Sequence, residues 1–252
     1  MVTGRVMLGL ALLAGALVDA APGAPVRAAP LPAPPPAGVL HYEAHWRLLP
    51  AASATLAWSD SGGLRQIHFT ADANPLVGLF YPIRDRMTSW YDPGSLCTTA
   101  VDNDTVEGRR HRQTRIQYLP AEHQLILDET NPAEQPPVLK HEVKPIPGCV
   151  LDLFSALDYA RAEPLHVGDV YTFPVNEGGA TTNVRLTVDL KETVTTPAGR
   201  FTAVRTEPTV FGNSVFQRPG TMWVWFSDDA RHLPVQVEAK VSWGTILVQL
   251  TN

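Results

Sequence analysis

The clearest regularity in the chain is a two-residue alternation of apolar and polar positions. Val184, Leu186, Val188 and Leu190 alternate with Asn183, Arg185, Thr187, Asp189 and Lys191. Leu233, Val235, Val237, Ala239, Val241 and Trp243 repeat the pattern against Gln236, Glu238, Lys240 and Ser242. Successive side chains on a strand point to opposite faces, so each run predicts a strand with one buried face and one wet face. Between the two runs, Thr196-Pro197-Ala198-Gly199 predicts a tight turn, because proline presets the first corner and glycine tolerates positive φ. Segments 183–194 and 200–211 are therefore expected to form a hairpin. Further strands are expected at 40–48, 52–58, 64–71, 86–92, 112–118, 124–129, 138–143, 169–175, 221–226 and 245–250. The 221–226 strand is apolar on both sides, with Met222, Val224 and Phe226 on one and Trp223 and Trp225 on the other. Either both sides are covered or one lines an apolar pocket.

Helix is scarce. The best segment is 152–162, where Asp152 can cap the amino end and Leu153, Leu157 and Ala160, with Phe154 and Ala156, form an apolar stripe that stops before Pro164. Segment 75–80 is expected to be a single helical turn or an irregular loop. The fold class that follows is mainly β: an antiparallel sheet curled into a barrel-like or spiral form, with one short helix filling part of its concave side.

Composition narrows the setting. With 252 residues, 44% hydrophobic and 18% charged, the chain can build one sizeable core. A formal net charge of -5 offers no basic excess for nucleic acid. At the amino end, Arg5 precedes an apolar run from Val6 to Val18 and then small residues, the pattern of a secretory signal. Cleavage is expected after Ala20, with a second site after Ala28. The run is shorter than the roughly 20 residues a membrane helix needs. The proline-dense stretch that follows favours an extended linker. The layout expected is thus a signal over 1–20, a Pro/Ala-rich linker over 21–38 and one β-rich domain over 39–252. No segment of the mature chain is expected to span a membrane, and the destination expected is the periplasm.

Cys97 and Cys149 are the only cysteines, and in an exported chain they are expected to form one disulfide. Signatures of catalysis are near misses. Gly212-Asn213-Ser214-Val215-Phe216 lacks the last glycine of a nucleophile elbow. His41 and His45 have the spacing of helical metal ligands but would lie about 13 Å apart on a strand. Asp102-Asn103-Asp104 opens like a calcium loop, yet Val106 and a displaced glycine break the pattern, so a solvated turn is expected. Arg109, Arg110, His111, Arg112 and Arg115 form the one basic concentration, and on a hairpin they would spread over two faces. No carboxylate pair is singled out by spacing. No catalytic residue, metal ligand or cofactor is assigned.

Four segments together resemble a known family: DLFSALDYAR from Asp152, PLHVGD from Pro164, TPAGRFTAVR from Thr196 and WFSDDARHLPVQVEAKVSWGTILVQL from Trp225. They are similar to the exported bacterial proteins of domain-of-unknown-function family 3108. The resemblance implies a curled or spiral β-sheet like that of periplasmic lipoprotein carriers, and it implies no catalytic residue. The chain departs from the family at Asp158, where aromatics are usual, and at 51–54, where a glycine is usual. The function expected is a non-catalytic periplasmic protein that binds an apolar or envelope-derived ligand, or a protein partner, and contributes to envelope maintenance. Lipid, glycan and envelope protein are the partners considered. The alternatives are a hydrolase of envelope glycans and a purely structural interaction module. Trp46, Phe154, Trp223 and Trp225 are the candidate ligand-binding residues, expected on the concave side.

Overall fold

The protein is described by a computed structural model over residues 38–47, 49–134, 139–209, 221–241 and 244–252. The expected signal, most of the linker and the 212–216 segment lie outside the described residues. Fourteen strands follow in order: β1 Val39–Trp46, β2 Leu49–Ser61, β3 Leu64–Ala73, β4 Ile83–Tyr91, β5 Thr98–Glu107, β6 Arg110–Leu119, β7 Gln124–Thr130, β8 Leu139–Pro145, β9 Val170–Glu177, β10 Ala180–Thr196, β11 Gly199–Pro208, β12 Thr221–Ser227, β13 Pro234–Val241 and β14 Gly244–Leu250. A single-turn helix, α1 (Pro75–Gly78), joins β3 to β4, and α2 (Leu153–Ala162) lies between β8 and β9.

All strands form one antiparallel sheet ordered β8-β7-β6-β5-β4-β3-β2-β1-β14-β13-β12-β11-β10-β9. Every neighbour but β1·β14 is also a neighbour in sequence, so most of the sheet is built from hairpins. The β10–β11 hairpin closes at Thr196↔Gly199 around Pro197 and Ala198, where the turn residues place it. The two edges, β8 and β9, are not paired with each other. Instead the sheet spirals, and β9 comes round inside the opposite edge. Leu151 bridges Val175 in parallel, and the Tyr118 hydroxyl donates to Asn176 Oδ1 at 3.1 Å. At the tip of the β9–β10 hairpin, Gly179 has φ +81° and sits so close to β7 and β8 that a Cβ would meet Lys144 Nζ at 2.9 Å and Leu127 Cδ1 at 3.1 Å. Glycine is needed there for both the turn and the approach.

The concave face carries the core. Trp58, Ile67, Ser89, Val101, Ile116 and Leu127 follow one another across β2 to β7, with Ser89 the one polar member of the row. The larger apolar cluster surrounds α2, and a smaller one joins Val101, Ile116, Tyr118, Leu125 and Leu127 to Ile146 and Val150. A disulfide between Cys97 and Cys149 ties the start of β5 to the segment entering α2.

Helix α2 begins where its cap residues require. The Asp152 carboxylate accepts from the amides of Phe154 (2.6 Å) and Ser155 (3.0 Å), and the Ser155 hydroxyl accepts from the Asp152 amide at 2.9 Å, a reciprocal cap. Ser89 and Thr98 hydroxyls also donate to this carboxylate. Burial pushes the Asp152 carboxyl up, and these hydrogen bonds offset only part of that. Further along the helix Asp158, with a fully buried side chain, accepts from Trp58 Nε1 (3.2 Å), the Tyr91 hydroxyl (2.6 Å) and Arg161 Nη1 (2.6 Å), with Arg65 Nη1 at 3.7 Å. Burial, then the Asp158 charge, raises the Tyr91 phenol far above its ordinary range. Arg161 donates onward to the carbonyls of His232 (3.3 Å) and Arg231 (3.1 Å), in the β12–β13 connection. The helix is thereby fixed to strands β2 to β4 on one side and to the β12–β13 loop on the other, and it plugs one end of the spiral.

Two sequence expectations need correction. Asp102-Asn103-Asp104 is not a turn but the middle of β5. Its acidic residues face outward, where Arg115 and His111 of β6 meet them, so cross-strand polar pairing replaces apolar alternation. The pairing of Trp223 and Trp225 with the concave side is also overturned. Val224 pairs with Val237, which pairs with Val248, which pairs with Ala44, all on the α2 side. Alternation therefore puts Trp223 and Trp225 on the convex side, where their indoles donate to Glu207 (3.1 Å) and Glu192 (2.7 Å) and flank the Arg205 guanidinium. The basic residues of β6 do divide between faces: Arg115 pairs with Asp102 outside, and Arg112 with Glu129 inside.

Candidate functional site at the open end

Because α2 fills only one end, the concave face falls into two halves. Near the helix the inward residues are sealed: Leu40, Tyr42, Leu56, Trp58, Ile67 and Tyr91 are all buried. Toward the other end the same strands carry Ala44, Ala52, Ala54, Ala71 and Ala73, all half-buried, with Phe69, Met87, Val237 and Val248 around them. Register places Ala44, Ala52 and Ala73 side by side across β1, β2 and β3, and Ala54 beside Ala71. Small side chains in adjacent strands project little, so this wall is apolar and recessed. Phe154 of α2 forms the floor, its ring 5.7 Å from that of Phe69.

The opposite wall of the mouth is charged. On the inward side of β6 to β8, Arg112 meets Glu129 at 3.4 Å, and Glu142 is held between Lys140 and Lys144 at 3.0 Å each. Asp85 lies between the walls, next to Ala71 and Thr105 in register. Burial, reinforced by Glu107, pushes its carboxyl up to about 6. The unfolded chain ionises this residue near 3.9, so the native state holds the proton more tightly between the two values. Its contribution to stability is therefore full below about pH 4 and is lost as pH rises through about 6. Asp85→Asn is expected to stabilise the protein at pH 7.5 by about 1 kcal/mol, water at the mouth screening part of the full effect, and to change little at pH 4. Urea unfolding at both pH values checks this; equal effects at both would show that Asp85 does not titrate in this range.

The four aromatic candidates are not one site. Phe154 is in the packed floor, Trp46 is at the rim of the mouth under the Arg47 guanidinium (5.4 Å), and Trp223 and Trp225 are on the convex side, where Trp225 is buried. The residues that sequence reasoning missed are the alanines of β2 and β3. Their signal is alanine at alternate positions, 52 and 54, then 71 and 73, within strands otherwise rich in larger residues.

The convex side of β4 to β8 holds a concavity of about 590 Å³, lined by Arg86, Thr88, Asp102, Asp104, Gln113 and Arg115 among others. Its carboxylates are engaged. Asp102 accepts two bonds from Arg115 (2.8 and 2.9 Å), and Asp128 faces His141 at 2.6 Å. Burial acts to raise Asp104, but hydrogen bonds from Gln113 and His111 outweigh it and hold the carboxyl below its usual range. A general acid for glycoside cleavage needs the reverse, a carboxyl held protonated. No group of His, Cys, Asp and Glu suited to a metal ion occurs among the described residues. No helix among them is long and apolar enough to cross a membrane.

A β-barrel-like protein of domain of unknown function DUF1849 from Brucella abortus has a similar structure, with a TM-score of 0.53 over 84% of this chain and 94% of that one. The two share 5% identity, so the likeness is one of fold. No curated protein matches the chain. The family described as protein of unknown function (DUF3108) matches residues 41–251, from β1 to the end of β14. With nearly the whole folded region covered, this chain belongs to the DUF3108 family.

Proposed function

We propose that the protein is an exported, non-catalytic binding protein of the cell envelope, and that its open mouth receives an amphiphile. The observation that carries this reading is the division of the mouth into a recessed alanine wall and a charged wall. An apolar chain laid on Ala44, Ala52, Ala54, Ala71, Phe69 and Met87 would remove both surfaces from water, at about 25 cal/mol per Å². A polar headgroup would then face Arg112, Lys140 and Lys144. Apolar pockets with a few placed polar groups are the usual composition of small-molecule sites. Export is supported by the Cys97–Cys149 disulfide, which persists in oxidising compartments, and by the apolar run at the amino end.

Native mass spectrometry of freshly purified protein is expected to find a co-purifying lipid. Ala52→Phe, which puts a ring on the alanine wall, is expected to abolish that adduct and to weaken displacement of a fluorescent fatty acid by at least about tenfold, since a ring would occupy the chain's place. Circular dichroism should be unchanged. An adduct-free wild-type protein with no affinity for the probe would rule the reading out.

A further inference from the structure

The connections around the mouth carry an apolar crest that the fold does not use. Residues 76–81, in and after α1, read LVGLFY, with Leu76 70%, Leu79 78% and Phe80 84% exposed; Leu49 on the β1–β2 hairpin is 64% exposed. The crest is not slack. Asn74 caps α1 by accepting from the Val77 amide at 2.8 Å, and its own amide donates to the Ala51 carbonyl at 2.9 Å, fastening α1 to the β1–β2 hairpin. Gly108 of the β5–β6 hairpin donates to the Pro82 carbonyl at 2.8 Å, and a Cβ there would strike the Tyr81 ring at 2.8 Å. Arg47 donates its amide to Thr245, bringing the β13–β14 hairpin to the same end. A fixed loop that holds large apolar side chains in water presents a binding surface.

Charge indicates what the surface meets. Although the chain is net acidic at -5, this rim bears exposed Arg47, Arg84, Arg109 and Arg110 against exposed Glu107 and Glu134 among the described residues, and Asp72, beside Arg84 in register, is engaged by Arg86. Among the described residues no salt bridge joins Arg84, Arg109 or Arg110 to a carboxylate. Leucines and aromatics standing above a ring of arginines match an anionic bilayer, whose headgroups pair with the arginines while the apolar side chains enter the acyl boundary. The geometry points to the rim formed by Leu49, Leu76, Leu79, Phe80 and these arginines as a docking surface for an anionic lipid bilayer, on which the mouth opens toward the membrane. This surface is distinct from the recess, and its docking does not depend on the mouth holding a ligand.

The test is flotation of the full chain with vesicles of equal parts phosphatidylglycerol and phosphatidylcholine, beside vesicles of phosphatidylcholine alone. The protein is expected to float with the anionic vesicles and to be released by high salt. Leu79→Asp with Phe80→Asp, both far from any core contact, should weaken partition by at least about tenfold, and Arg109→Glu with Arg110→Glu by a similar factor. The Ala52→Phe protein should still float, which separates failure of docking from failure of the recess. Three results would each overturn the proposal: wild-type protein that stays unbound at low salt, variants that float like wild type, or a size-exclusion dimer that the aspartate pair converts to monomer without any vesicle binding.

Discussion

Asp158→Ala is expected to cost about 3–5 kcal/mol of stability, the range for removing one partner of a buried ion pair. The side chains of Asp158 and Arg161 are fully buried, and Arg65 is nearly so. Without the carboxylate, Arg161 keeps its charge in a site closed to water, Arg65 is left with Asp60 at 2.9 Å, and the Trp58 indole and the Tyr91 hydroxyl lose their acceptor. Arg161 still donates to the carbonyls of Arg231 and His232. The loss should appear as a lowered urea midpoint, together with weaker near-ultraviolet dichroism from the loosened Trp58. The paired replacement Asp158→Leu with Arg161→Met should cost less than the single change, because it also removes the Arg161 charge, while Trp58, Tyr91 and Arg65 still lose the carboxylate. A single variant within about 1 kcal/mol of wild type would show that α2 is held by its apolar contacts alone.

Replacing Cys97 and Cys149 with serine is expected to remove about 4 kcal/mol, since the bridge closes a loop with a sequence separation of 52. The position of the bridge gives that loss a direction. Residues 149–152 lead into α2, and Thr98 next to Cys97 donates its amide to Val150 and its hydroxyl to Asp152. Freeing the two ends therefore loosens both the smaller core cluster and the helix cap. Urea unfolding of the wild-type protein with and without reductant should show the same difference, and the double serine variant should be insensitive to reductant. No change on reduction would mean that the unfolded chain gains nothing from release of the loop.

Most of the strand pattern was legible because alternation is a local property. The β10–β11 hairpin could be read from Val184 to Lys191 and from the Pro-Ala-Gly turn, and α2 could be read from Asp152 and its apolar stripe. Strand β5 could not. Its alternation is between Asp102 or Asp104 on one side and Asn103 or Thr105 on the other, and those residues become strand-compatible only opposite Arg115 and His111. The candidate site was hidden for a related reason. Trp223 and Trp225 have the bulk that usually marks a pocket, yet their face is set by the pairing of Val224 with Val237. The alanines that shape the mouth have no bulk to notice.

From sequence alone, the chain's two-residue periodicity and its turn residues already determined a mainly β protein, because those signals depend only on neighbours along the chain, and a count of two cysteines allowed one disulfide. Which face looks inward, where α2 stops and what its unfilled end leaves open were decided by tertiary structure. A face acquires its meaning only from the register of strands far apart in sequence, and a recess exists only where the packed side chains fall short of the space that the curled sheet encloses.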